Sequence, residues 1–119
     1  MKILQLIIKQ NYFNEIIAGT KTHEFREIRP NTMRKYCKVD SDGFVEEIDG
    51  IIQPRKYDAI QFYVGYNPDR NAALVEVKSA EVSLLVDEND NFITYEHDNE
   101  EYTAAQIAYS LGRVIEKNV

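Results

Sequence analysis

A lysine, a glutamate and an arginine lie close together near the N-terminus, at the spacing Gly19-x-Lys21-x-x-Glu24-x-Arg26. If this stretch is extended, Glu24 and Arg26 share one face of a strand with their backbones roughly 7 Å apart. One acceptor flanked by two cations suits a ligand that offers both a donor edge and an anionic or carbonyl oxygen, as nucleobases and nucleotides do. The same spacing also fits an exposed ion-pair ladder, which would contribute little to stability.

A short helix and a strand are predicted to position this stretch. Asn11 is a suitable cap for a helix that runs to residue 18, and Gly19 is a suitable stop because glycine adopts left-handed backbone angles readily. Residues 22–28 are predicted to form a strand that ends before Pro30. Alternation along it places His23 and Phe25 on the face opposite Glu24 and Arg26.

The remaining patterns predict an α+β fold that is mostly β, with mainly antiparallel strands and one or two short helices, in a single domain over residues 1–119. The apolar run at residues 3–8 predicts a central strand. Further strands are predicted at 57–64, 73–86, 92–96 and 107–115. The second of these is expected to have a bulge or bend near Ser79. A helix over 103–109 is the alternative to a strand at the start of 107–115. Residues 31–56 show turn signals at 40–43 and 49–50, and 43–47 is predicted as one arm of a small hairpin.

The charge is unevenly distributed. The formal net charge is −6 at pH 7. Residues 1–38 contain eight Lys and Arg against three Asp and Glu, whereas residues 39–119 contain six against seventeen. This balance disfavours non-specific coating of long nucleic acids, which requires many phosphates to be neutralised. It is compatible with a local site for one nucleotide, a short loop or a small anion.

Several other functions are disfavoured by the sequence. It contains no phosphate-binding glycine loop, no zinc-type cysteine spacing and no nucleophile elbow, so no metal or cofactor is expected. A packed or edge histidine is expected at His23, a solvated hairpin around His97, and an idle or buried thiol at Cys37. No apolar run is long enough to span a membrane and no leader pattern is seen, so a cytoplasmic protein is expected.

A basic segment follows the motif and contains Arg29, Arg34, Lys35 and Lys38, with Tyr36 among them. In one interpretation it extends the positive surface, so that the cations contact a phosphate backbone and the tyrosine stacks on a base. In the other it is an ordinary solvated loop.

The stretch Gly19-Thr20-Lys21-Thr22-His23-Glu24-Phe25-Arg26 resembles the G-x-K-x-x-E-x-R signature of ASCH domains, which belong to the PUA-like superfamily. The resemblance extends to later segments that match a small single-domain branch of phage and bacterial chains. These are Phe25-Arg26-Glu27-Ile28-Arg29-Pro30, Tyr57-Asp58-Ala59-Ile60-Gln61-Phe62, Gly65-Tyr66, Val75-Glu76-Val77 and Leu111-Gly112-Arg113-Val114-Ile115.

This resemblance implies a small β-barrel with the motif lining a cleft, and recognition of RNA, a nucleotide or a modified nucleoside. Lys21, Glu24 and Arg26 become the expected ligand contacts, with Gly19 shaping the turn. Tyr66 and Glu76 are the remaining expected ligand contacts.

An enzymatic alternative also follows from the resemblance. Some short ASCH proteins resemble an amidohydrolase that deacetylates N4-acetylcytidine with a lysine, a threonine three residues later and a glutamate. This chain has Lys21 but places Glu24 where that threonine would be, and Thr22 is the candidate replacement. In a second catalytic version, Glu24 beside Lys21 activates water and Arg26 stabilises an oxyanion. Binding is the preferred interpretation.

Overall fold

The computed structural model describes residues 1–119 and shows an α+β protein that is mostly strand, with two short helices. The elements in chain order are β1 (Ile3–Ile8), α1 (Gln10–Ala18), β2 (His23–Ile28), α2 (Met33–Tyr36), β3 (Glu47–Ile48), β4 (Ile51–Ile52), β5 (Ala59–Val64), β6 (Ala72–Leu84), β7 (Thr94–His97), β8 (Glu100–Thr103) and β9 (Ala105–Asn118). No helix is long and apolar enough to cross a membrane.

Five of the strands form the main sheet, in the order β1-β5-β6-β9-β2. β1 runs parallel to β5, and β5 runs antiparallel to β6. The order ends at β1 and β2, so these pairings leave the sheet open, and the closed barrel stays a prediction. β1 was expected in the centre of a sheet but lies at one end of this order. Its alternating burial explains the difference, because Leu4, Leu6 and Ile8 are buried while Ile3 is exposed, as in a strand with one covered face.

The chain divides into two compact units. The first comprises Met1–Glu24, Lys56–Ser79 and Tyr109–Val119, and the second comprises Phe25–Arg55 and Ala80–Ala108. The boundaries between them fall within β2, β6 and β9, so each of these strands contributes residues to both units. The single-domain expectation stays a prediction.

The first unit has a closed apolar core. Cross-strand neighbours place Leu4 next to Ile60 and Leu6 next to Phe62, and all four side chains are buried. The amphipathic helix α1 adds Phe13 and Ile16 to the buried set. Such burial stabilises by roughly 25 cal/mol per Å² of apolar area removed from water.

The second unit contains two small hairpins. β3 pairs with β4 through Asp49 and Gly50, which both have positive φ, and β7 pairs with β8 through Asp98 and Asn99, which also have positive φ. Left-handed angles at both central residues are what a tight two-residue hairpin requires. The predicted turn at 49–50 and the predicted solvated hairpin around His97 are therefore confirmed.

Three details of the sequence prediction are wrong or incomplete. α1 begins at Gln10 with Lys9 as its N-terminal flanking residue and has no side-chain cap there, so Asn11 lies inside the helix. The helical alternative over 103–109 is wrong, because β8 and β9 are extended there. The helix α2 was not predicted, since it has four residues and no capping side chain.

Candidate functional site

The end of α1 holds the beginning of the motif in place. Gly19 has φ of 81° and its N–H donates to the carbonyl of Ile16, as the sequence predicts for a helix stop. The N–H groups of Thr20 and Lys21 both donate to the carbonyl of Glu15, at 3.0 and 3.1 Å. The backbone of Lys21 is therefore tied to the last turn of the helix.

Lys21 and Glu24 form an ion pair in the first unit. The Lys21 Nζ lies 3.5 Å from the Glu24 Oε1, and their side chains are 18% and 8% exposed. The Lys21 ammonium also lies 5.3 Å from the centroid of the Tyr12 ring, within reach of a cation–π contact. Tyr12 lies on α1, and its position beside the Lys21 ammonium was not predicted from the sequence.

At the start of β2 a charged side chain is buried and its apolar neighbour is exposed, the reverse of what their polarity suggests. The charged Glu24 is buried, whereas the aromatic Phe25 next to it is 53% exposed. A carboxylate without partners is costly to bury, and Glu24 makes further contacts besides the one with Lys21. The exposed-ladder interpretation is therefore wrong for the Lys21–Glu24 pair, because both side chains are largely withdrawn from water.

The other expected ligand contacts are placed differently. Arg26 is half-buried, two residues beyond Glu24 on β2, and belongs to the second unit. Tyr66 follows β5 in a loop of the first unit and is 83% exposed. Glu76 lies on β6, where Ala73 and Val75 are the buried positions, so alternation turns it to the opposite face from them.

Glu76 packs closely over Gly112. A Cβ atom added at Gly112 would clash with the Glu76 Oε1 and would lie 3.1 Å from the Glu76 Cβ, which is tighter than most real contacts. The absence of a side chain at Gly112 therefore makes room for this carboxylate. The sequence indicated both residues, but only as separate parts of the family resemblance.

Thr22 and His23 lie immediately before Glu24. The Thr22 Oγ1 is 3.0 Å from the His23 Nδ1, within hydrogen-bond distance, and both residues are exposed. The carbonyl of Thr22 accepts from the N–H of Leu111, which ties this point to β9. His23 is thus an exposed histidine rather than a packed one.

Two of the basic residues after the motif, Arg29 and Lys35, contact aromatic rings within the second unit. The Arg29 Nη2 lies 2.6 Å from the Glu27 Oε1, and its guanidinium lies 4.1 Å from the centroid of Tyr95. Tyr36 is only 4% exposed, so the suggestion that it stacks on a base is wrong. Its burial on α2 explains the error, since that helix was not predicted.

No metal site is indicated: the structure contains no group of three or more His, Cys, Asp and Glu side chains that could hold an ion. Asp40 instead shapes a turn, because its Oδ1 accepts from the N–H groups of Asp42 and Phe44. Cys37 is free and buried, which is one of the two states expected for it, an idle or a buried thiol. Burial raises the pKa of its thiol, and the charge of Arg55 partly opposes that shift.

Comparisons with protein-family models, with curated proteins and with solved structures give no match to this chain.

Proposed function

We propose that this chain is a cytoplasmic ASCH-type, PUA-like barrel domain that binds RNA or a nucleotide-like ligand through Lys21 and Glu24. Arg26 is a further expected contact from the same motif. The proposal rests on the residue pattern of the motif together with the environment of the Lys21–Glu24 pair.

The observation that carries the proposal is the burial of Glu24 against Lys21. Ion pairs withdrawn from water are often no more stabilising than apolar residues of similar size, because desolvation offsets the attraction. A pair kept at this cost favours a role in recognition. Glu24 can accept from the amino or imino edge of a base, while Lys21 can donate to a carbonyl or phosphate oxygen.

Tyr12 supplies the aromatic component that single-stranded nucleic acid recognition commonly uses. Tyr12 is 44% exposed, and its ring lies beside the Lys21 ammonium. The charge of the first unit also agrees, since it contains eight Lys and Arg against six Asp and Glu. A weakly positive unit favours a single nucleotide or short segment over a long strand.

The experiment is a calorimetric titration of the protein with cytidine, cytidine monophosphate and a short single-stranded RNA. Lys21→Ala should weaken binding about tenfold or more, because a charge-assisted contact is lost. Lys78→Ala is the matched control, since Lys78 is an exposed lysine of the same unit, and it should bind like the wild type. Equal affinities for the two variants would refute the proposal.

One observation favours the enzymatic alternative, an amidohydrolase acting on a modified nucleoside such as N4-acetylcytidine. The contact between the Thr22 hydroxyl and the His23 ring is the arrangement in which a base can activate a nucleophile. Incubation with N4-acetylcytidine separates the two functions. Product that disappears in both Lys21→Ala and Thr22→Val would establish the hydrolase, and binding without product would leave recognition as the function.

A further inference from the structure

The second unit contains a cavity of about 410 Å³ that is separate from the Lys21–Glu24 pair. This volume lies within the range of pockets that hold small ligands or inserted side chains. Its lining is mostly apolar and includes Ile28, Cys37, Val82, Leu84 and Ala105, together with Ile51 of the β3–β4 hairpin. Ile28, Cys37 and Ala105 are buried, whereas Leu84 and Ile51 are exposed, so the cavity has a closed floor and an open apolar rim.

Exposed apolar side chains continue beyond the rim. Val86, two residues beyond Leu84 along the chain, forms a β-bridge with Phe92, and both side chains are exposed. On the β3–β4 hairpin, Ile48 is the cross-strand neighbour of Ile51 and is also exposed. Contiguous apolar surface of this kind is uncommon on isolated proteins and usually marks a place where something binds.

Two tyrosines from the other hairpin complete the wall. The rings of Tyr95 and Tyr102 are stacked, with centroids 5.8 Å apart, and both line the cavity. The Arg29 guanidinium lies over Tyr95 and fixes its ring. Tyr102 donates a hydrogen bond to the Glu100 Oε2 at 2.8 Å, and this bond raises the pKa of the phenol. The wall is thus partly ordered by contacts within the unit.

The charge around this cavity is mostly negative: the second unit contains fourteen Asp and Glu against six Lys and Arg, and Arg29, the cation beside Tyr95, is paired with Glu27. The Glu47 side chain lines the cavity, and Glu100 lies at Tyr102. Residues 80–108 contain eight Asp and Glu and no Lys or Arg. Such a surface repels phosphates and attracts cations, so nucleic acid is an unsuitable occupant and a cationic partner is a suitable one.

We infer that the cavity of the second unit docks a basic peptide segment of a partner protein, which inserts one large apolar side chain. The inserted side chain lies against Ile51, Leu84 and Tyr102. Lysines or arginines that flank it meet Glu47, Glu100 and the negative field of residues 80–108. This site is independent of the nucleotide site proposed above.

The probes are fluorescein-labelled hexapeptides with Leu, Ile, Phe or Trp at one central position, alanine at the other, and two lysines on each side. Binding is followed by fluorescence anisotropy at low and moderate salt. At least one of these peptides should bind with a Kd below about 1 mM. Its glutamate-flanked counterpart should bind at least about tenfold more weakly, because attraction becomes repulsion.

Two pairs of variants locate the binding. Ile51→Ser should weaken it about fivefold by removing apolar contact area, whereas Ile3→Ser, at an exposed isoleucine of the first unit, should change it less than about twofold. Glu47→Gln should reduce affinity and its salt dependence, whereas the adjacent Glu46→Gln should not. All four positions are exposed, so these variants should fold normally.

The inference is overturned if no lysine-flanked peptide binds below about 1 mM, or if lysine- and glutamate-flanked peptides bind alike. It is also overturned if Ile51→Ser and Ile3→Ser have the same effect. A short RNA whose binding is lost in Ile51→Ser but retained in Lys21→Ala would assign this cavity to nucleic acid instead.

Discussion

The two units of the molecule differ in the exposure of their large apolar side chains. In the first unit, large side chains such as Phe13, Ile60 and Phe62 are fully buried. In the second unit, comparable side chains such as Phe44, Ile51 and Phe92 remain exposed, and the apolar interior contains a cavity. Both units bury apolar side chains, Ile28 and Ile107 in the second among them, but the second also leaves more large apolar side chains exposed and contains the cavity.

Carboxylates show a difference in the same direction, and β2 contains both cases. Glu24, in the first unit, is buried beside Lys21, whereas Glu27, in the second unit, pairs with Arg29 with about half of each side chain exposed. The two glutamates therefore differ in the cost expected for removing their charge, which is larger at the buried Glu24 than at the exposed Glu27.

The largest expected effect on stability comes from removing a buried aromatic side chain. Phe62→Ala removes a fully buried side chain and should lower the free energy of unfolding by about 3–5 kcal/mol. Phe92→Ala removes a side chain that is mostly in water and should change it by less than about 0.5 kcal/mol. Urea denaturation followed by circular dichroism measures both. Similar losses would show that the Phe92 side chain is packed as tightly as that of Phe62.

The next effect concerns the two glutamates of β2. Glu24→Gln leaves Lys21 largely buried without its charged partner and should cost about 2 kcal/mol. Glu27→Gln breaks an exposed pair and should cost less than about 1 kcal/mol. Chemical denaturation at constant pH compares the two variants. The contrast drawn along β2 would fail if Glu27→Gln proved the more harmful change.

A smaller effect is expected at Gly112. Gly112→Ala places a methyl group against Glu76 and should destabilise the protein by about 1–2 kcal/mol. Glu76→Ala in the same chain removes the nearest atom and should recover part of the loss. Thermal unfolding of the single and double variants tests this. A neutral Gly112→Ala would mean that Glu76 moves aside freely.

The smallest effect concerns Cys37 in the second unit. Burial raises the pKa of its thiol, so the native protein retains this proton at a pH where the unfolded chain begins to lose it. The stability from this group is therefore present below the unfolded pKa and is lost as pH rises through the folded one. Alkylation by iodoacetamide should reach half its maximal rate at a higher pH in the native protein than in urea. Coincident profiles would show that the thiol is open to water.

Much of the fold was predictable because several signals were local. The stop at Gly19, the strand at residues 3–8 and the turn at 49–50 each depend on a few neighbouring residues, and the structure has all three. The end position of β1 in the sheet was not predictable, since strand order depends on distant pairings. α2 was missed because a four-residue helix leaves no periodic pattern.

The residues of the candidate site could be predicted from the sequence, but their burial and their neighbours in space could not. Spacing alone brought Lys21 and Glu24 together, and they do form a pair. Strand alternation could not reveal that Glu24 would be buried while Phe25 would be exposed, because polarity suggests the reverse. The contact between Lys21 and Tyr12 joins residues from different elements, so it required the three-dimensional structure.

The central claim is that the Lys21–Glu24 pair is kept for ligand recognition rather than for stability. The double variant Lys21→Met with Glu24→Leu replaces the pair by apolar side chains of similar size. We predict that it unfolds at the same or higher urea concentration than the wild type and no longer binds cytidine monophosphate or short RNA. A double variant that binds as the wild type does, or that loses more than about 2 kcal/mol of stability, would contradict the claim.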